Sequence, residues 1–226
     1  VLLSSQLTTI SNTRIALPFG MSESCPRGTR NIQDNTMTFN EKLAALEAEM
    51  IACEQTAGMS VLRHGELVRE HFQYLIAYLR SQASLEGEWK LPDWISDPRL
   101  LGRLLPDDII ETYALYHDCG KPSVRVVDED GRQHFPDHAA ASERVWREIG
   151  GDEQVARLIG MDMDIHTIKD VDVEAFAARP EAATLMLVGL SEIHANASMF
   201  GGLESVSFKM KWKQIDKRGR AILKLW

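Results

Sequence analysis

The apolar residues of this chain recur mostly at helical spacing. In "EKLAALEAEMIACEQ" Leu43, Leu46, Met50 and Ile51 share one side, with Asn40 placed to cap the helix and Gly58 just past its end. Ser60 can cap a second helix, "VLRHGELVREHFQYLIAYLRSQ", whose stripe runs Val61, Val68, Phe72, Leu75 and Leu79. His64 lies on that stripe, one turn before Val68. After a Trp- and Pro-rich connector, Pro106 opens "PDDIIETYALYHDC" at a position where its missing N–H leaves no helical bond unmade, and Gly120 and Pro122 are expected to stop it.

The period then changes. "SVRVVDEDGRQHFP" alternates and turns at Asp130-Gly131, which predicts a short hairpin. Helical runs resume with Asp137 capping "HAAASERVWREI", Asp152 capping "EQVARLIGMDMDIH" and Pro180 opening "EAATLMLVGLSEIHANASMF". In the tail, Val206, Phe208, Met210 and Trp212 alternate with Ser207, Lys209, Lys211 and Lys213, and Lys217-Arg218-Gly219 supplies a turn. That pattern predicts a second hairpin. The expected fold is mainly α: a helical domain over 38–205 with a β-flap, followed by a basic β-hairpin over 206–226. Residues 1–37 show no period and read as a loose arm or a leader foreign to the domain, without the basic start and apolar run of a secretory signal.

Composition narrows the class. Hydrophobic content of 44% and charged content of 26% are those of a globular protein. No window approaches the length of apolar sequence that spans a bilayer. Cys25, Cys53 and Cys119 form no CxxC pair, so neither a disulfide framework nor a cysteine zinc site is predicted, and a reducing cytoplasm fits. The net charge of -8 conceals a basic tail, where seven Lys/Arg face Asp216 alone. Such a tail can meet an anion, or it can be a solvated strand face that blocks edge pairing.

Candidate chemistry concentrates in "LYHDCGKPS", where His117 and Asp118 close an apolar helix and Lys121 follows. Neutral imidazole and carboxylate suit divalent transition metals, and an Asp can bridge two ions. Neighbouring helical residues diverge by about 100°, so a metal site needs ligands from other helices. His64, His138, His166 and Glu192 are available, the last on a face otherwise made of small and apolar residues, where an unpaired carboxylate is costly.

The run His117-Asp118-Cys119-Gly120-Lys121-Pro122 with "VVDEDGRQHFPDHAAAS" resembles the HD superfamily of metal-dependent phosphohydrolases, and looks closest to the HD domains of bacterial CCA-adding tRNA nucleotidyltransferases. The order His64, His117-Asp118, His138, His166 and a late acidic residue is similar to that of members holding two metals, over roughly residues 58–202. The family's last ligand is normally Asp; here the segment is "SEIHANA", where Glu192 is the natural match and His194 its rival. The resemblance implies an HD helical bundle and one or two divalent ions (Mn, Fe, Co, Ni or Zn, with Mg a further candidate). It implies that Asp118 bridges and orients attacking water made acidic by metal, and that Lys121 offsets charge on phosphoryl oxygens.

The expected activity is therefore hydrolysis of a nucleotide-like phosphate ester or anhydride: a phosphomonoester, cyclic phosphate or nucleoside polyphosphate. With only 57 residues ahead of the HD region, the chain reads as a stand-alone member acting on a small nucleotide. Two alternatives stand beside it. An HD nuclease or phosphodiesterase would use Lys209, Lys211, Lys213, Arg218 and Arg220 to hold RNA or DNA. A degenerate HD module would only bind partners.

Overall fold

The computed structural model describes residues 37–81, 84–199 and 201–226, so the expectations for residues 1–36 lie outside the described residues. Helix α1 (Phe39–Ala52) is capped by Thr38 rather than Asn40. The Thr38 side chain accepts from the Glu41 N–H, and the Glu41 carboxylate accepts the Thr38 N–H at 2.8 Å. This reciprocal box satisfies two backbone donors that a cap at Asn40 would leave open. The helix stops before Cys53, and Gly58, at φ 75°, turns a small hairpin between β1 (Glu54–Thr56) and β2 (Met59–Ser60).

Helix α2 (Val61–Ser81) follows, its Arg63 N–H donating to Ser60 Oγ at 3.1 Å. Its buried stripe includes Val61, His64, Val68, Phe72 and Leu75. The connector makes single 3-10 turns at Asp93–Ser96 and Leu101–Arg103 before α3 (Asp107–Tyr116). Pro122 does not end the structure there. It sits in the first turn of a short helix, α4 (Lys121–Val124), where proline's fixed φ is compatible with helix. Strands β3 (Val126–Val127) and β4 (Gln133–His134) pair antiparallel with Gly131 in the turn. They lead to α5 (His138–Glu148) and to α6 (Glu153–Gly160), whose first N–H groups are taken by the Asp152 carboxylate.

The run expected to continue from Glu153 to His166 breaks after Gly160. The chain turns through Met161–Met163, then forms α7 (Asp164–Thr167) and α8 (Val173–Ala177). Helix α9 (Ala182–Met199) is apolar almost all round, with Leu185, Met186, Leu187, Val188, Leu190 and Ile193 all buried. A helix of that kind belongs inside a bundle, and α2, α3, α7 and α10 (Val206–Leu223) pack against it. Each of these fully buried large aliphatic side chains contributes roughly 1.5–3 kcal/mol.

Helix α10 overturns the expected basic β-hairpin over 206–226. The alternation of Val206, Phe208, Met210 and Trp212 misled because it is short: Val206 and Met210 are exposed, while Phe208, Ile215, Ile222 and Leu223 are buried at helical spacing. Ser205 caps the helix by accepting from the Phe208 N–H at 3.2 Å. Gly219 makes no turn either. A Cβ there would lie 2.4 Å from the Trp94 ring, so glycine lets α10 seat on that indole. Among the described residues no helix is long and apolar enough to cross a membrane.

Candidate metal centre

Backbone contact brings the site together. His64 and Gly65 lie where α2 crosses α3, and a Cβ at Gly65 would sit 2.0 Å from the Leu115 carbonyl oxygen. Gly120 plays the same part against α5: its added Cβ would be 2.3 Å from Ser142 N, and its own N–H donates to Ser142 Oγ at 2.8 Å. Two glycines thus let three helices approach closely enough for their polar side chains to meet in the interior.

At the meeting point stands Asp118, buried in the turn that follows α3. Its Oδ2 is 3.3 Å from His117 Nε2, 3.6 Å from His64 Nε2 and 2.6 Å from Lys121 Nζ. Its Oδ1 is 3.7 Å from His138 Nε2. Lys121 is steadied by Gln55 Oε1 at 3.1 Å, a contact supplied by β1. His117 and His138 each give their Nδ1–H to a backbone carbonyl, Ala114 at 2.9 Å and Phe135 at 3.1 Å, which turns both Nε2 atoms toward Asp118. Among the described residues, His64, His117 and Asp118 form a group whose ligand atoms all lie within 4.8 Å of one another.

Both ring nitrogens of His64, Nε2 of His117 and Oδ1 of Asp118 are buried without a hydrogen-bond partner. Leaving such atoms unpaired costs on the order of 1–3 kcal/mol each, so their gathering in one place calls for a shared ligand. Ligand bonds of about 2.0–2.2 Å put two atoms on one ion about 3–3.5 Å apart. The His117–Asp118 separation of 3.3 Å falls in that range and the His64–Asp118 separation of 3.6 Å lies just beyond it. The donor set fits a divalent transition metal.

Electrostatics favour ligand forms of His64 and Asp118 and set a proton against a metal ion at His117. Burial, reinforced by His117, holds the His64 imidazole down to about 4, so it is neutral with a lone pair available. Burial also opposes charge on His117, but Asp118, Asp162 and Glu192 outweigh it and raise the ring to about 10. Burial works against the Asp118 carboxylate as well, yet Lys121 and His117 hold it far below the usual range. The pocket is arranged for positive charge, and a proton on His117 and a metal ion compete for the same place.

His166 and Glu192 form a second pair, Nε2 to Oε2 at 2.9 Å. Gly189, one turn before Glu192, leaves room for Ile165 beside His166: a Cβ there would be 2.8 Å from Ile165 Cγ2 and at contact distance, 3.4 Å, from His166 Nε2. The Glu192 charge acts on both His64 and His117, and Asn196 Nδ2 donates to its Oε1 at 3.3 Å. His194 turns elsewhere. Its Nδ1–H donates to Leu190 O at 2.7 Å, its Nε2 accepts the Lys90 N–H at 3.1 Å, and Trp89 stacks on it at 4.3 Å. Of the two residues competing for the last position, Glu192 is the one beside the histidines.

Asp162 joins the centre without having been singled out by the sequence. It is buried, accepts a hydrogen bond from Tyr113 Oη at 2.6 Å, and its charge acts on His117 and His166. An isolated acid in "GMDMDIH" carries no periodic signal that would mark it. The tail cations are spread along α10 and largely engaged within the chain. Lys209 pairs with Glu204 at 2.6 Å, Arg220 with Asp216, and Lys217 with Asp170 at 2.9 Å, while Arg218 donates to the carbonyls of His166 and Ile168. Lys211 and Lys213 are exposed.

His138, Lys121, His166 and Glu192 keep 12–21% of their side-chain surface, against 0–3% for His64, His117 and Asp118. The centre therefore has a sealed floor and an accessible rim, as a site needs if solvent and a substrate are to reach it. Compared with protein-family models, curated proteins and solved structures, the chain matches none.

Proposed function

We propose that the protein is a metal-dependent phosphohydrolase of HD type, acting on a nucleotide-like phosphate ester or anhydride. One observation carries the reading: buried, unpartnered donor atoms of His64, His117 and Asp118 converge at separations suited to a shared ion. The HDxGKP run and the order of the remaining histidines support it.

His64 and His117 would hold the ion through Nε2 and Asp118 through its carboxylate, with His166 and Glu192 extending the set to a second ion. A divalent ion in such a set supplies Lewis acidity toward water and phosphoryl oxygens. The remaining work falls to side chains of the rim. Lys121, with three N–H donors, neutralises phosphoryl charge, and Gln55 fixes the ammonium where that charge develops. His138 is oriented by the Phe135 carbonyl, so its Nε2 faces the same space. The sealed floor excludes bulk water, which strengthens every one of these interactions.

The test is hydrolysis of a chromogenic phosphomonoester and a phosphodiester side by side with Mn, Co, Ni, Zn or Mg, with Asp118→Ala as control. Metal-dependent turnover reduced more than about 100-fold in the variant is expected, since ligand loss exceeds the 10–100-fold cost of disturbing a ligand's supporting partner. Folded protein that neither binds a divalent ion nor turns over either ester would sink the reading.

A further inference from the structure

The site has a neighbour that the hydrolytic chemistry does not use. A cleft of ≈ 730 Å³ runs from Lys121 and His138 along the β3–β4 hairpin, walled by Val126, Phe135 and Pro136 with Gln133 at its edge. Its volume is that of small-molecule pockets. Val126 and the adjacent Val127 are each 51% exposed, on a two-residue strand that has no core to cover. Together with Phe135 and Pro136 they form an apolar strip beside the charged centre, a surface a ligand can cover.

Two residues belong to both places. Lys121 Nζ is 2.6 Å from Asp118 Oδ2 and also lies over the Phe135 ring, 5.4 Å from its centroid. His138 Nε2 faces Asp118 Oδ1 while its Nδ1–H is held by the Phe135 carbonyl. A dianion bound at Lys121 and His138 would therefore carry its ester group directly onto Phe135. The Gln133 side-chain oxygen accepts from Arg125 Nε at 2.5 Å, so the groups this amide retains are its N–H donors. An apolar wall and an aromatic ring with Gln133 at the edge match a flat ring, and match a flexible alkyl chain poorly.

We infer that this cleft is the leaving-group subsite of the proposed phosphohydrolase and selects esters of phosphoric acid whose alcohol carries a flat aromatic or heteroaromatic ring. The inference rests on the hydrolytic reading. It does not alter the chemistry: water adds at phosphorus, the P–O bond to the ring-bearing alcohol breaks, and that oxygen leaves with a proton.

The test uses non-hydrolysable probes, so that leaving-group acidity plays no part. Calorimetric titration of the Mn-saturated protein with phenylphosphonate and methylphosphonate compares equal charges with and without a ring. A preference of about tenfold for phenylphosphonate is expected from the apolar area of one ring face. In Phe135→Ala the ratio measured within the variant should fall to about twofold. Phe135→Leu, which keeps the volume without the ring, should fall between, and thermal melts report whether each variant is folded. Equal affinities in the Mn-saturated wild type, or a ratio that survives in folded Phe135→Ala, overturns the subsite and leaves the metal reading intact. A protein that takes up no Mn at all overturns the metal reading first, and the subsite falls with it.

Discussion

His64 on α2 and His194 on α9 are both sealed from solvent, and burial holds both down to about 4. In every other respect their surroundings differ. His194 has a partner for each nitrogen and an indole against its face, with Phe208 edge-on at 5.1 Å. It ties the connector to α9 and α10, and nothing around it asks for more. His64 has no hydrogen bond to either nitrogen and faces a carboxylate and a second imidazole that are also short of partners. A buried histidine that is satisfied belongs to the architecture, while one left open among others equally open marks a place for a ligand.

Substitution should separate the two most sharply. Asp118→Ala is expected to abolish the metal-induced rise in melting temperature, which for the wild type at 100 times its dissociation constant corresponds to about 2.7 kcal/mol. His194→Ala should do the reverse. It removes a buried stacked ring and strands the Lys90 N–H, at a cost of about 2–4 kcal/mol. At about 2–4 °C per kcal/mol for a domain of this size, the melting point falls visibly while the metal-induced rise persists. Differential scanning calorimetry with and without Mn reads both. A His194 variant that loses metal binding while folded would erase the distinction.

Acid titration gives the next largest effect. The folded-state value of His194 lies below its unfolded one, so the unfolded chain takes up the proton first as pH falls. Its contribution is intact above about pH 6.5 and is lost on the way down to pH 4, by up to about 3 kcal/mol. His64 has the same sign, but in its case a bound ion would withhold the nitrogen from protons. His117 runs the other way: its raised value makes a contribution present below pH 6.5 that fades toward pH 10. Urea unfolding between pH 4 and 7 should show a slope that His194→Gln flattens. An unchanged slope in that variant would mean the ring is not held neutral.

How far could the sequence see this? The long helices were legible because their apolar periodicity spans many turns, as in α2, where His64 sits on the same stripe as Phe72. The hairpin turn at Gly131 was legible from its dipeptide. The tail was not, because eight residues of alternation read as a strand when taken alone. Only the longer window from Phe208 through Ile215 to Ile222 decides for helix. Glu192 and His194 stand two residues apart, hence about 200° apart on a helix, so both could not serve one centre. Which of them faces inward depends on how α9 is rotated in the bundle, and that is settled by tertiary packing. Gly65 and Gly120, which permit the close approach of α2, α3 and α5, look in the sequence like ordinary helix punctuation.

The subtlest prediction concerns Asp162, the member of the centre that periodicity hides. Burial, together with the negative charges of Glu192 and Asp118, pushes its carboxyl up, while the positive His117 and the Tyr113 hydroxyl draw it back. Tyr113 Oη, itself buried, donates to Asp162 Oδ1 at 2.6 Å. Removing that hydroxyl leaves the carboxylate less well satisfied beside His117, so its negative charge is less firmly maintained where an ion would bind. Tyr113→Phe should therefore weaken Mn affinity by about tenfold, the low end of the range for losing a ligand's supporting partner, because Tyr113 acts one step further out through Asp162. The ring and its packing against the core remain, so the fold should be retained. If Tyr113→Phe lowers the melting point but leaves the calorimetric Mn isotherm unchanged, Asp162 belongs with His194 among residues that build the bundle. If the isotherm weakens while the melting point of the metal-free protein holds, it belongs with His64.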